Sequence, residues 1–167
     1  MAALNPMPDR AGIEPSEKLR TVYLYPGQVV TASQPLLVST ILGSCIAVCL
    51  WDDTARIAGI NHYLLPSDPL RGQSDLRYGN VAIDRLIAEI VSAGAMTQRI
   101  VAKIVGGASI LGSSPGSRQS IGDQNAAVAR QALQKHGIAV TAEQTGGLRG
   151  RKLLFHTGTG CAFTKEI

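Results

Sequence analysis

Two short apolar runs flank the acidic pair Asp52-Asp53, and they constrain the fold more than anything else in the chain. The first, Cys45-Ile46-Ala47-Val48-Cys49-Leu50-Trp51, follows the turn former Gly43-Ser44. It is short, rich in β-branched residues and without helical spacing, which reads as a buried strand. The second runs from Arg56 to Leu65 and is closed by Pro66. Strand, acidic turn, strand predicts an antiparallel hairpin centred near Asp53-Thr54. A hairpin sets the end of its second strand beside the start of its first. His62 therefore comes close to Cys45 in space, although the two are 17 residues apart in sequence.

Around that hairpin the pattern alternates between strands and two helices. Residues 1–18, with Pro6, Pro8 and Pro15 among small and charged residues, read as a flexible tail, leaving 19–167 as one domain. Thr21 to Tyr25 and Leu36 to Ile41 are strand-like, separated by Pro26-Gly27 and a polar stretch. Residues 67–79 read as a loop. Ile83, Leu86, Ile87, Ile90 and Val91 then form one apolar stripe at helical spacing, with Gly94 as a stop. Ile100 to Val105 is a strand, 108–122 a loop, and Asp123 is expected to cap a second helix ending near His136-Gly137. Ile138 to Thr141 is a strand, and Lys152–Thr157 with Cys161–Thr164 predict a closing hairpin. Without regular βαβ alternation, this order predicts an α+β fold, with helices covering mixed or antiparallel sheets.

Composition narrows the function. The 167 residues are 45% apolar, enough for one domain with a real core. No apolar run reaches membrane-spanning length, and no basic stretch leads into an apolar core at the N-terminus, so a soluble cytoplasmic protein is expected. The three cysteines, Cys45, Cys49 and Cys161, are too few and too unevenly spaced for a disulfide framework. Together with His62 they also lack zinc-site spacing, so no metal is expected. A net charge of +4 favours acidic partners weakly. With 4% aromatics and no dense Lys/Arg cluster, the chain does not read as a nucleic-acid binder. Gly106-Gly107 follows a strand without any phosphate-loop motif, so tight turn geometry accounts for it and no cofactor is expected.

Cys45 and His62 are the candidates for chemistry. Cys45 stands at the turn into a strand, where a thiol can be exposed beside free backbone N–H groups. Cys49, apolar on both sides, reads as core. A free thiol titrates near ~8.5, and a neighbouring imidazole can take its proton and stabilise the thiolate for attack on a carbonyl carbon. Read from spacing alone, the alternatives stay open: a structural Cys, and a His that merely ends a strand.

The segment Leu42-Gly43-Ser44-Cys45-Ile46-Ala47-Val48-Cys49-Leu50 followed by Asn61-His62-Tyr63-Leu64-Leu65-Pro66 resembles the CheD family of chemoreceptor glutamine deamidases. Further matches run in order: Arg77-Tyr78-Gly79, then Ala102-Lys103-Ile104-Val105-Gly106-Gly107-Ala108. Ile121-Gly122-Asp123-Gln124-Asn125 and Thr145-Gly146-Gly147-Leu148-Arg149-Gly150-Arg151 complete the set. Together they cover about residues 20–160. The resemblance implies an α/β/β/α-type sandwich. It also implies a cysteine hydrolase, needing no cofactor, that converts selected glutamines on chemoreceptor cytoplasmic helices to glutamate and ammonia through a thioester. It makes Cys45 the nucleophile and His62 the base, and implies partnership with a CheC-type phosphatase in many members. The family pattern has a Thr six residues before the Cys, and here that position is Ser39, next to Thr40. Strand alternation turns Thr40 away from the face Ser39 occupies. Ser39, whose hydroxyl can pair with imidazole, is thus the expected third member. The same substitution is the only sequence support for a different reading, a non-catalytic adaptor that binds a phosphatase or a receptor.

Overall fold

A computed structural model describes residues 4–6, 19–68, 74–109 and 119–167. The strands are β1 (Asn5–Pro6), β2 (Thr21–Tyr23), β3 (Gln28–Ala32), β4 (Leu37–Leu42), β5 (Ile46–Asp52), β6 (Ile57–His62), β7 (Val101–Gly106), β8 (Ala139–Thr145), β9 (Arg151–His156) and β10 (Cys161–Glu166). Helix α1 spans Gly79–Ser92 and α2 spans Ile121–Lys135. Two mixed five-stranded sheets form, in the orders β3-β6-β5-β7-β8 and β1-β10-β9-β4-β2. The α+β class with two sheets is as expected, but the α/β/β/α layering is not, because both helices pack on the same sheet. The layers run helices, sheet, sheet, because α1 packs on β3, β5 and β6 and α2 on β5, β7 and β8 of the same sheet. Among the described residues no helix covers the outer face of the second sheet.

The continuous apolar run at β5 has a simple cause: the strand is buried on both faces. Ile46, Val48 and Leu50 point into the core beneath the helices, with Ile83, Leu86, Ile90 and Leu133. Ala47, Cys49 and Trp51 point between the sheets, with Leu24, Val38, Leu42, Leu153 and Phe155. The predicted hairpin forms, with Asp52 opposite Ile57 and Cys49 opposite Ile60. Its turn is held by the Asp52 carboxylate, which accepts the N–H groups of Thr54 and Ala55. The same carboxylate pairs with Arg99 at 3.1 Å. Burial by itself would raise the Asp52 pKa, but Arg99 and the N–H donors outweigh it and hold the carboxyl down at about 2.

Several local expectations shift. Gln28–Ala32, read as part of a polar stretch, is an edge strand: it pairs antiparallel with β6, Gln28 opposite His62, and it packs against α1. Within the expected tail, Asn5–Pro6 pairs in parallel with β10, and residues 1–3 and 7–18 lie outside the described residues. Val91, counted in the apolar stripe of α1, is 41% exposed, while Ala82 takes its place in the buried face. Ser120, not Asp123, caps α2. Its hydroxyl accepts the Asp123 N–H, and the Asp123 carboxylate accepts the Ser120 N–H in return, so two otherwise orphaned donors are satisfied.

Candidate active site

Cys45 sits where the chain crosses from one sheet to the other. Strand β4 belongs to the second sheet and β5 to the first, so Gly43–Cys45 spans an end of the sandwich. All three carbonyls of that turn are held. Ala108 N–H donates to Gly43 O at 2.8 Å, the Asn125 side-chain amide to Ser44 O at 2.9 Å, and Gly107 N–H to Cys45 O at 2.8 Å. Glycine is required for this approach. Gly106 and Gly107 have φ of +119° and +65°, and a Cβ on Gly106 would stand 2.1 Å from Cys45 O. The sequence motif Gly106-Gly107 thus serves as a cradle for the Cys45 turn. Cys45 itself is half-buried, and burial pushes its thiol pKa up; its own amide N–H, which faces the sulfur, pulls the other way more weakly.

The hairpin register brings His62 alongside. Ile46 and Tyr63 exchange both backbone hydrogen bonds, at 3.1 and 3.0 Å. Continued from that pair, the register sets His62 opposite Ala47. Cys45 then lies one diagonal step away on the same inter-sheet face, a separation of roughly 7–8 Å between Cα atoms. The imidazole is 2% exposed. Its Nδ1 lies 2.9 Å from the hydroxyl of Thr40, reaching across from β4 of the facing sheet.

Thr40, not Ser39, is therefore the residue in contact with His62. Along β4 the side chains of Val38, Thr40 and Leu42 are buried between the sheets, and Ser39 lies on the alternate, outer phase. Side chains along β4 do alternate, but the phase that faces His62 is that of Thr40. The two-residue turn at Gly43-Ser44 interrupts the strand, so counting back from Cys45 does not carry facing into β4.

The Thr40 contact also determines the imidazole tautomer. The Thr40 hydroxyl donates to Leu24 O at 2.8 Å, which uses its single proton. It can then only accept from His62, so Nδ1 carries the ring proton and Nε2 keeps its lone pair. Among the described residues Nε2 has no hydrogen-bond partner, Cys45 included. Burial lowers the His62 pKa to about 4, with the carbonyl of Leu24 opposing that shift. At neutral pH the site therefore holds a neutral imidazole, whose free lone pair can act as a base, beside a neutral thiol. A resting thiolate–imidazolium pair is not what this burial favours. Site-resolved alkylation of Cys45 by iodoacetamide is accordingly expected to keep climbing above pH 9. A plateau already reached near pH 6 would overturn that assignment.

The other candidates drop out on placement. Cys49 is buried between the sheets with its pKa pushed up to about 12, chiefly by burial. His136 pairs with Asp84 at 2.8 Å on the surface. His156 lies opposite Cys161 on β9 and β10, and its Nδ1 accepts Gly158 N–H at 3.1 Å. Among the described residues no group of three His, Cys, Asp or Glu side chains is placed to hold a metal ion. No helix among them is long and apolar enough to cross a membrane. Asn125 carries no role in the sequence reading, although it stands inside the motif Ile121-Gly122-Asp123-Gln124-Asn125. The signal in the sequence is a polar residue at helical spacing from Ala129 and Leu133, and the structure buries it fully.

Cys45 and the His62 imidazole, held by the Thr40 hydroxyl, thus lie together at one end of the β-sandwich. Residues 64–166 match the family model described as CheD chemotactic sensory transduction. A probable chemoreceptor glutamine deamidase CheD 1 from Anaeromyxobacter dehalogenans is 44% identical over 146 residues, covering 87% of this chain and 84% of that protein. A probable chemoreceptor glutamine deamidase CheD from Rhodospirillum rubrum is 41% identical, over 87% of this chain and 81% of its own. A third relative, from Geobacter sulfurreducens, is 40% identical over 90% and 92%. The chain belongs to the CheD family.

Proposed function

We propose that the chain is a chemoreceptor glutamine deamidase acting in the cytoplasm, with Cys45 as nucleophile, His62 as base and Thr40 as the group that orients His62. The observation that carries this reading is the Thr40 hydroxyl bond, which leaves Nε2 as the free lone pair on the inter-sheet face that Cys45 shares. Cys45 Sγ attacks the carboxamide carbon of a glutamine side chain while His62 Nε2 takes the thiol proton. The tetrahedral intermediate then collapses, the C–N bond breaks, and the same proton leaves with the nitrogen as ammonia. Water, deprotonated by His62, attacks the resulting thioester. The C–S bond breaks, the product is a glutamate carboxyl, and the proton returns to sulfur. The Cys45 amide donates to no backbone acceptor among the described residues and faces its own sulfur, a position suited to the oxyanion.

Relatives named as chemoreceptor deamidases support chemoreceptor cytoplasmic helices as the substrate. A CheC-type phosphatase remains a proposed partner on the family resemblance alone. The alternative, a non-catalytic adaptor binding a phosphatase or a receptor, rested only on Ser39 standing where the family pattern has Thr; the Thr40 hydroxyl on His62 supports the catalytic reading over it. The test is incubation with a receptor cytoplasmic fragment from the same organism. Ammonia release, with the mass gain of an NH2-to-OH exchange at discrete glutamines, is expected for the wild type and not for Cys45→Ala. An unchanged receptor mass would overturn the proposal.

A further inference from the structure

We propose that Asn125 is a positioning residue for the Cys45–His62 pair, tying the turn that carries the sulfur to the strand end that carries the imidazole. The proposal rests on the deamidase reading of that site.

Asn125 is fully buried in the second turn of α2. Its side-chain nitrogen donates to Ser44 O at 2.9 Å and to Leu64 O at 2.8 Å. Ser44 immediately precedes Cys45, and Leu64 is the second residue after His62. Both neighbours are carbonyls that can only accept, so the amide orientation is determined by the hydrogen bonds. The two N–H groups of a planar carboxamide diverge at a set angle. Satisfying both therefore fixes the spacing between the two segments that hold the reacting groups. Oδ1 has no partner among the described residues, so these two donors are what hold the side chain. The backbone of Asn125 is tied to the same place: the Tyr63 hydroxyl donates to Asn125 O at 2.7 Å.

Helix α2 can come this close because Gly122 meets Gly107 without side chains, where a Cβ on Gly122 would stand 2.2 Å from Gly107 O. The helix thereby braces one end of the hairpin from outside the sheet. Backbone pairing between β5 and β6 lapses at Ala47 and Val48, where the Asn61 side chain takes the Val48 N–H at 2.9 Å instead. The bridge at Ile46 and Tyr63 therefore stands apart from the main ladder, and Asn125 secures the residues on its far side.

The test is a double-mutant cycle between Asn125 and His62, read both on deamidation of the receptor fragment and on alkylation of Cys45 by iodoacetamide. Asn125→Ala, and the isosteric Asn125→Asp, are expected to lower kcat roughly a hundredfold with KM within about threefold, as a small misplacement of reacting groups does. Combined with His62→Ala, neither slows either reaction further than His62→Ala alone, because with the imidazole removed there is no base left for Asn125 to position. Leu133→Ala, a core truncation two turns along the same helix, is expected to lower the Tm and leave kcat unchanged. Effects of Asn125 and His62 that multiply would overturn the positioning role, as would Asn125 variants with wild-type kcat. If His62→Ala changes neither reaction, the deamidase reading of the pair fails and the positioning role fails with it. If the wild type alkylates with His62 dependence but does not deamidate the receptor, the alkylation cycle still decides Asn125.

Discussion

Thr40→Val is expected to lower kcat by roughly 10²–10³, close to the loss from removing the base itself with His62→Ala. Valine keeps the shape of threonine and removes the oxygen. The His62 Nδ1–H then faces an apolar group in a site where the imidazole is 2% exposed, and Leu24 O loses its donor as well. Nothing holds the proton on Nδ1 any longer, and the tautomer with the proton on Nε2 cannot act as a base toward Cys45. Thr40→Ser keeps the hydroxyl with more rotamer freedom and should recover activity to within about tenfold of wild type. Ser39→Ala, on the outer phase of β4, should stay within about twofold, since surface changes away from such features have small effects. Steady-state ammonia release at saturating receptor fragment checks all three. A large loss with Ser39→Ala and none with Thr40→Val would reverse the assignment.

Legibility in the sequence depended on how far apart the interacting residues are along the chain. The Cys45–His62 juxtaposition was readable because it rests on one hairpin, whose two apolar runs and acidic turn are contiguous. The burial of β5 on both faces was likewise written in its unbroken apolar run. Thr40 was not readable, since its contact with His62 lies between two sheets, and facing across sheets depends on how the Gly43-Ser44 turn rotates the chain. The edge strand β3 was hidden for a related reason: Gln28, Thr31 and Ala32 look polar or small until β6 and α1 are beside them. Asn125 lies in the Ile121–Asn125 motif, but nothing in that motif assigns it a role. Its partners are two backbone carbonyls far away in sequence, which no residue pattern can show. Both helices falling on one sheet is also a long-range outcome, because each apolar stripe only demands some surface to cover it.

Burial of His62 gives a stability effect in a pH window where few other groups titrate. Its pKa is about 4 in the folded protein, against an ordinary value of 6.5. Between these values the unfolded chain binds the proton and the folded one does not. Unfolding is therefore favoured progressively as pH falls through 6.5, and the loss is complete below 4. A difference of this size corresponds to about 3 kcal/mol, roughly two thirds of it lost by pH 5. Asp52, held at about 2, contributes stability that is lost only further down, as pH falls below its ordinary 3.8. Thermal unfolding at pH 7.5 and pH 5.0 should accordingly show a Tm drop of several degrees. In His62→Gln, which cannot titrate, most of that drop should vanish. The same pKa sets the acid limb of kcat/KM near pH 4 and not near 6.5, since the free enzyme keeps a neutral base well into mild acid. An acid limb near 6.5, together with a flat Tm across this window in the wild type, would mean that His62 is solvated in solution. The burial that keeps its Nε2 lone pair free would then be lost with it.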